Sequence, residues 1–378
     1  MIEPLQSVAD SAPNGVPNGV PNGAPKVASS RDSLLLRALA RRNTARPPIW
    51  FMRQAGRYHR HYQALRARHE FMQLCKQPHL AAEVTLGPIE EFGFDAAILF
   101  SDLLFPLEAM GMGLRYAPGP QLDWHLRSAS DLARLRGGAE RVSSLEFQGE
   151  ALRLLRTRLP ESCGLIGFVG GPFTLYAYAV AGSHEGFAAE GPAGQAGLDK
   201  DLYAGFTERL RELLAANMAL QVEAGADCVA IFDTAAGTLS PEGFGSAAVP
   251  LAEVIATFRA RCPHTPLIYY SRDTGPAHWE HLRGIDLQCL GIDWRHDLVG
   301  VLQQQGRQWA IQGNIDPQWL LLPAAELEAR LRPWFSRLRA QPAALRAGWV
   351  CGLGHGVLQH TPESNVKLVL ELQREYLQ

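Results

Sequence analysis

Residues 47–58 read Pro47-Pro48-Ile49-Trp50-Phe51-Met52-Arg53-Gln54-Ala55-Gly56-Arg57-Tyr58. The apolar run from Ile49 to Met52 has the length and aromatic content of a buried strand, and the two prolines before it cannot donate to a ladder. The run stops at two arginines that flank Gly56, the residue type that turns most easily. Arginine grips a carboxylate through two parallel charge-assisted hydrogen bonds. The stretch is therefore either the rim of an anion-binding site or a strand followed by two solvated side chains. The rest of the chain decides between them.

Short runs rich in β-branched and aromatic residues recur at 96–102, 165–171, 228–234, 267–271, 289–293, 309–314 and 348–355, making eight with 49–53. Helical spacing occupies 78–91, 144–159, 202–224, 251–261, 297–304 and 324–339. Ser33 is expected to cap a first helix ending before Pro47, and Thr361 a last one with Pro362 at its first position. Strands alternating with helices imply a parallel sheet, and eight such units predict a single closed (β/α)8 barrel of the TIM type over residues 31–378. A doubly wound open sheet is the alternative, but no G-x-G-x-x-G follows the first strand. Residues 1–30 carry a repeated Pro-Asn-Gly tetrapeptide that buries almost nothing, so a disordered tail is expected there.

With a formal net charge of -2 and no dense Lys/Arg block, the chain has no electrostatic footprint for nucleic acid or a membrane surface. No apolar stretch approaches the length of a membrane span, and no secretory signal is evident. Cys75, Cys163, Cys228, Cys262, Cys289 and Cys351 are scattered without a C-x-x-C pair, as reduced buried thiols would be. A cytoplasmic location is the expectation.

In a barrel, catalytic groups gather where strands end. The eight runs lead into Arg53 and Arg57, Ser101 and Asp102, Gly170-Gly171, Asp233 and Thr234, Ser271 to Asp273, Asp293, Asn314 and Asp316, and His355. Asp102 closes an apolar run and is either a helix cap or a site carboxylate. With Arg53 and Arg57 it would place one acid among cationic clamps, which suits a polyanionic substrate that develops positive charge at one point.

These blocks resemble the uroporphyrinogen decarboxylase family. Phe51 to Tyr58 looks like its first signature, Ala97-Ile98-Leu99-Phe100-Ser101-Asp102 its second, and Gly170-Gly171-Pro172-Phe173-Thr174-Leu175 through Tyr178 its third. Ala224 to Gly237, Gln312 to Pro317, Gly352 to Gly356 and Thr361 to Val366 complete the set in family order, so the resemblance spans about residues 31–378. It implies a (β/α)8 fold, a homodimer, no metal and no organic cofactor. It also implies the substrate, uroporphyrinogen III, whose four acetate side chains lose carbon dioxide stepwise to give coproporphyrinogen III.

The chemistry makes sense of the residues. Loss of carbon dioxide leaves an electron pair that needs a sink, usually supplied by a cofactor. A pyrrole protonated on its α-carbon is its own sink. The resemblance makes Asp102 the group that accepts pyrrole N–H bonds and stabilises that cation, with Arg53 and Arg57 on substrate carboxylates and one of them a candidate proton donor. It places Tyr178, Thr234 and His355 beside the substrate. Thr234 stands where the family usually has serine, Phe173 replaces a usual tryptophan, and His59-Arg60-His61-Tyr62 replaces Leu-Pro-Glu-Tyr. The Gly- and Ala-rich run at 186–197 looks mobile and unlike the family's loop. Corrinoid methyltransferases with a zinc site share this fold but need a His-x-Cys pair, which is absent here. A barrel that only carries tetrapyrroles is the remaining rival.

Overall fold

Seven of the eight runs form strands of one sheet in the computed structural model, which describes residues 32–183 and 199–377. The sheet strands are β1 (Ala96–Ile98), β4 (Gly164–Gly170), β5 (Cys228–Phe232), β6 (Leu267–Tyr270), β7 (Cys289–Gly291), β8 (Ala310–Ile315) and β9 (Trp349–Leu353). They lie side by side in sequence order and every pairing is parallel. A separate antiparallel hairpin, β2 (Arg115–Tyr116) with β3 (Pro120–Gln121), follows β1. The result is an α/β fold on a curled parallel sheet resembling an open (β/α)8 barrel. The tail expected at 1–30 and the run at 186–197 lie outside the described residues.

The eighth run corrects the expectation of a closed barrel with eight full strands. Ile49 makes only an isolated parallel bridge to Cys351. The reason is local. Pro47 and Pro48 have no N–H to give, and the Phe51 N–H is taken by the Gln54 side chain at 3.1 Å instead of a ladder. The segment nonetheless bonds to both sheet edges. The Cys351 N–H donates to the Pro48 carbonyl (2.8 Å) on the β9 side, and the Asp95 N–H donates to the Ile49 carbonyl (3.0 Å) on the β1 side. Asp95 fixes it further, accepting from the Ile49 N–H at 2.8 Å and from both Arg46 guanidinium nitrogens at 2.6 and 2.5 Å.

The strands are buried on both faces, as a parallel sheet between helices requires. Alternate residues enter different apolar layers, because successive strand side chains point to opposite faces. Cys228, Ala230, Phe232, Ile268 and Tyr270 pack together with Ile98 and Phe168. Val229, Ile231, Leu267 and Tyr269 pack with residues of the surrounding helices, such as Phe206, Leu213 and Phe258.

The helices follow the spacing, with shifts at proline. Ser33 caps the helix Leu34–Leu39 by accepting from the Leu36 N–H at 3.2 Å. The helix expected from 251 begins ten residues earlier, at Pro241–Arg259, because Ser240 caps it and Pro250 is accommodated inside. The last helix spans Glu363–Leu377. Thr361 does not cap it, since its buried hydroxyl has no partner among the described residues.

Candidate active site

The residues that follow β1, β4, β5 and β9, together with the turn after Met52, surround a cavity of about 670 Å³. All six residues singled out in the sequence line it: Arg53, Arg57, Asp102, Tyr178, Thr234 and His355. The strand-end groups Ser271, Asp293, Asn314 and Asp316 do not. Polar strand ends thus divide into two sets, and only one faces a ligand-sized space.

Each lining side chain has a structural reason for its place. Arg53 has a left-handed backbone, φ 62°, which costs a non-glycine residue of order 1–3 kcal/mol and is held by the Gln54-to-Phe51 turn bond of 3.0 Å. A Cβ on Gly56 would sit 2.7 Å from the Arg53 carbonyl oxygen, so only glycine lets the chain turn back here. Gly356 does the same for the Arg53 side chain, whose Cδ would lie 2.6 Å from an added Cβ. The Val357 N–H donates to the Met52 carbonyl at 2.9 Å, tying the arginine turn to the Gly354-His355-Gly356 loop. His355 accepts from the Gly356 N–H through Nδ1 at 2.6 Å and stands edge-on to Tyr270. Tyr178 projects from the helix Pro172–Ala181, whose Thr174 N–H is held by Asp233 at 2.7 Å.

The charges in the cavity are unbalanced. Among the described residues neither Arg53 nor Arg57 forms an ion pair, and Arg66 adds a third guanidinium to the lining. Desolvation by the surrounding chain lowers the Arg53 pKa although the residue is exposed, and the neighbouring Arg57 lowers it further. The lining carboxylates are the exposed Glu70 and, following β1, Asp102. Desolvation raises its pKa, against hydrogen bonds from Tyr116 and the Leu104 N–H (2.8 Å) and the attraction of Arg53. It is only part-exposed to the cavity, and protein packs closely enough around it for desolvation to lead. A space with three arginines, two carboxylates and apolar walls from Phe168, Phe232 and Ile98 suits a large molecule carrying several carboxyl groups.

Arg66, Tyr116, Thr174 and Tyr62 also line the cavity and were not expected from sequence. Arg66 ends the short helix Arg60–Arg66 with nothing in its neighbourhood to mark it. Tyr116 did have a signal, the Pro118-Gly119-Pro120 turn that makes a hairpin, but not one that says where the hairpin folds.

Of the departures noted in sequence that lie among the described residues, Thr234 lines the cavity, and Phe173, His59, Arg60 and His61 do not. Phe173 is fully buried against Tyr176 and Tyr203, so no indole donor is missing from the site. His59 is buried, with Nε2 3.0 Å from Glu91 and 4.0 Å from Glu363. That trio is the one cluster among the described residues with metal-ligating geometry, but Lys367 and Arg60 already pair its carboxylates at 3.0 and 2.7 Å. None of the six cysteines, all buried and free, lines the cavity.

A barrel-type α/β fold with such a cavity at its strand ends defines an enzyme for a carboxylated ligand. The family model described as Uroporphyrinogen decarboxylase (URO-D) matches residues 30–376. The uroporphyrinogen decarboxylase of Chloroflexus aurantiacus is 40% identical over 353 residues, covering 90% of this chain and 95% of the relative. That of Paracoccus denitrificans is 36% identical over 347 residues, covering 91% and 99%. A methyltransferase from Methanosarcina mazei has the same fold, with a TM-score of 0.70 at 20% identity over 91% of this chain and 99% of that one. The chain belongs to the uroporphyrinogen decarboxylase family. It is a carboxy-lyase of tetrapyrrole and haem biosynthesis, and its substrate is a small tetrapyrrole.

Proposed function

We propose that the cavity takes uroporphyrinogen III and removes its four acetate carboxyl groups in turn, leaving coproporphyrinogen III. The observation that carries this reading is the convergence of Arg53, Arg57, Asp102, Tyr178, Thr234 and His355, from five separate stretches of chain, on one cavity. In each turn the pyrrole α-carbon takes a proton and the ring becomes cationic. The bond to the carboxylate carbon breaks, its electron pair moves into an exocyclic double bond, and carbon dioxide leaves. A proton on the methylene carbon gives a methyl group, and loss of the α-proton restores the pyrrole. Asp102 accepts the ring N–H bonds and offsets the cation, while Arg53 and Arg57 hold carboxylates that are not reacting. Arg53 is a candidate proton donor, because desolvation and Arg57 both weaken its hold on its proton. Tyr178 and His355 bound the substrate, and the Thr234 hydroxyl is available to a carboxylate.

The same reading extends to the whole molecule. The segment around Ile49 serves as the eighth strand that closes the barrel, resting on its bonds to both sheet edges. The working form is a homodimer in the cytoplasm, a compartment that suits six buried free thiols. Turnover needs no metal or organic cofactor, so prolonged dialysis against a chelator should leave it unchanged. Incubation with uroporphyrinogen III should release carbon dioxide and build up products with seven, six, five and then four carboxyl groups. Binding without any carbon dioxide release would make the protein a tetrapyrrole carrier instead.

A further inference from the structure

The hairpin β2–β3 stands apart from the main sheet, yet Tyr116, Pro118, Gly119 and Pro120 line the cavity. The Tyr116 ring packs on Phe71 of the helix Phe71–Lys76, with centroids 4.4 Å apart. Tyr116 and Asp102 line the same cavity, and the phenol lowers the Asp102 pKa as a hydrogen-bond donor beside it would. The hairpin is fixed from its other side, where Arg115 bonds to Gln121 at 3.2 Å and Asp123 at 3.1 Å, and the Asp123 N–H donates to the Met112 carbonyl at 3.0 Å. The ring therefore has little freedom to leave Asp102.

We propose that Tyr116 is a positioning residue that orients the Asp102 carboxylate by donating its phenolic hydrogen to it, making the β2–β3 hairpin part of the catalytic apparatus. This rests on the reading of Asp102 as the group that offsets the pyrrole cation. A carboxylate has about four acceptor directions. The Leu104 N–H occupies one on Oδ1 and Tyr116 another, which leaves two for ring N–H groups and fixes where they point.

The bond also works on charge. Asp102 must be ionised to offset a cation, and desolvation works against that. Facing it are Arg53 from the arginine turn, Cys75 from the helix Phe71–Lys76, Tyr116 from the hairpin and the Leu104 N–H, with Tyr178 close to Tyr116 and Arg53. Cys75 is a buried thiol pushed up by desolvation and adds no positive charge. Arg53 and two hydrogen-bond donors therefore oppose the desolvation that raises the acid's pKa. Desolvation and the nearby Asp102 charge raise the Tyr116 pKa as well, so its hydroxyl stays protonated and stays a donor.

Tyr116→Phe keeps the ring and its packing on Phe71 and removes only the donor. The acid therefore becomes harder to ionise, and activity, which requires it ionised, is lost at higher pH as the medium is acidified. In pH profiles of kcat on uroporphyrinogen III, the acidic limb should move up by about one pH unit, the shift expected for roughly a tenfold change in one hydrogen bond to a charged group. KM and melting temperature should stay near those of the parent protein. Asp102→Asn is measured beside it. If Asp102→Asn is inactive while the Tyr116→Phe profile superimposes on the parent's, the role of Tyr116 is refuted and that of Asp102 stands. A uniform loss of kcat at every pH with a lowered melting temperature would leave Tyr116 as wall packing, which also overturns the proposal. An active Asp102→Asn removes both readings together.

Discussion

Around β6, β7 and β8 the polar groups that follow the strands bond to one another, whereas around β1, β4, β5 and β9 they face a cavity. In the first region Asp293, 1% exposed, accepts from the Asp273 N–H at 2.9 Å and the Arg295 guanidinium at 2.7 Å. Asn314 donates to the carbonyls of Asp293 and His296 at 2.9 and 2.8 Å, and His296 Nε2 lies 2.7 Å from the Thr274 carbonyl. Burial pushes the Asp293 carboxyl up, yet these hydrogen bonds and the Arg295 charge outweigh it and hold it low. In the second region two arginines are without an ion pair among the described residues, and burial raises the Asp102 carboxyl. Matched charges stabilise a fold. Unmatched ones around a cavity await a ligand.

The largest effect that tests this contrast is Asp102→Asn. Asparagine can still accept from the Leu104 N–H but has no negative charge, so turnover should fall by roughly 10²–10³ while the melting temperature hardly moves. Near-full turnover on uroporphyrinogen would erase the distinction between the two regions. The other acids once available for the role are already engaged, Asp233 with Thr174 and Asp316 as the cap that accepts from the Gln318 N–H at 2.9 Å.

Asp233 marks the border, because its neighbour Thr234 lines the cavity and it does not. Burial raises its carboxyl from 3.8 to about 6, against hydrogen bonds from Thr174 and Tyr269. The folded state therefore holds this proton more tightly than the unfolded chain does. Stability from this residue is complete below the unfolded value and declines as pH rises through the window from 3.8 to about 6. At 1.36 kcal/mol per pH unit the decline is roughly 3 kcal/mol. Denaturant titrations across that window should show Asp233→Asn losing less stability than the parent as pH rises. Parallel curves would mean that Asp233 does not titrate there.

Much of this was legible in the sequence, and the limits are physical. Seven strands could be placed because parallel strands buried on both faces leave continuous apolar runs such as Cys228–Phe232. The run at Ile49 carries the same signal, but two prolines and the Gln54 side chain leave it fewer ladder bonds than a full strand makes, and apolarity does not report that competition. The six site residues could be named because motifs mark them. Their separation from Asp293 and Asn314 could not, since the sequence shows polar groups at strand ends without showing which ones already have partners. Arg66 and Tyr116 reach the cavity only through the folding of a short helix and a hairpin, which no local pattern encodes.

A smaller effect is expected in the bonded region. Asp293→Asn replaces a buried acceptor of charged hydrogen bonds with an amide that must turn a donor toward Arg295 or the Asp273 N–H. Unfolding free energy should drop by about 2 kcal/mol, with kcat and KM of the remaining folded protein unchanged. A changed KM at constant stability would place Asp293 with the substrate after all.

The smallest change reverses that pattern. Arg57 is exposed, has no ion pair among the described residues, and repels Arg53, whose proton affinity it lowers. Replacing it with glutamine removes one guanidinium that can hold a substrate carboxylate and one source of repulsion in the apo protein. KM for uroporphyrinogen should rise about tenfold, the value of one charge-assisted contact, with a smaller change in kcat. The melting temperature should stay level or climb slightly, because the folded protein gains relief from a like charge and loses no partner. Salt gives a second readout, since added sodium chloride should raise the parent's KM more steeply than the variant's. If Arg57→Gln instead lowers the melting temperature and leaves KM untouched, Arg57 supports the fold as Arg295 does, and its vacancy of partners in the cavity does not signal a ligand.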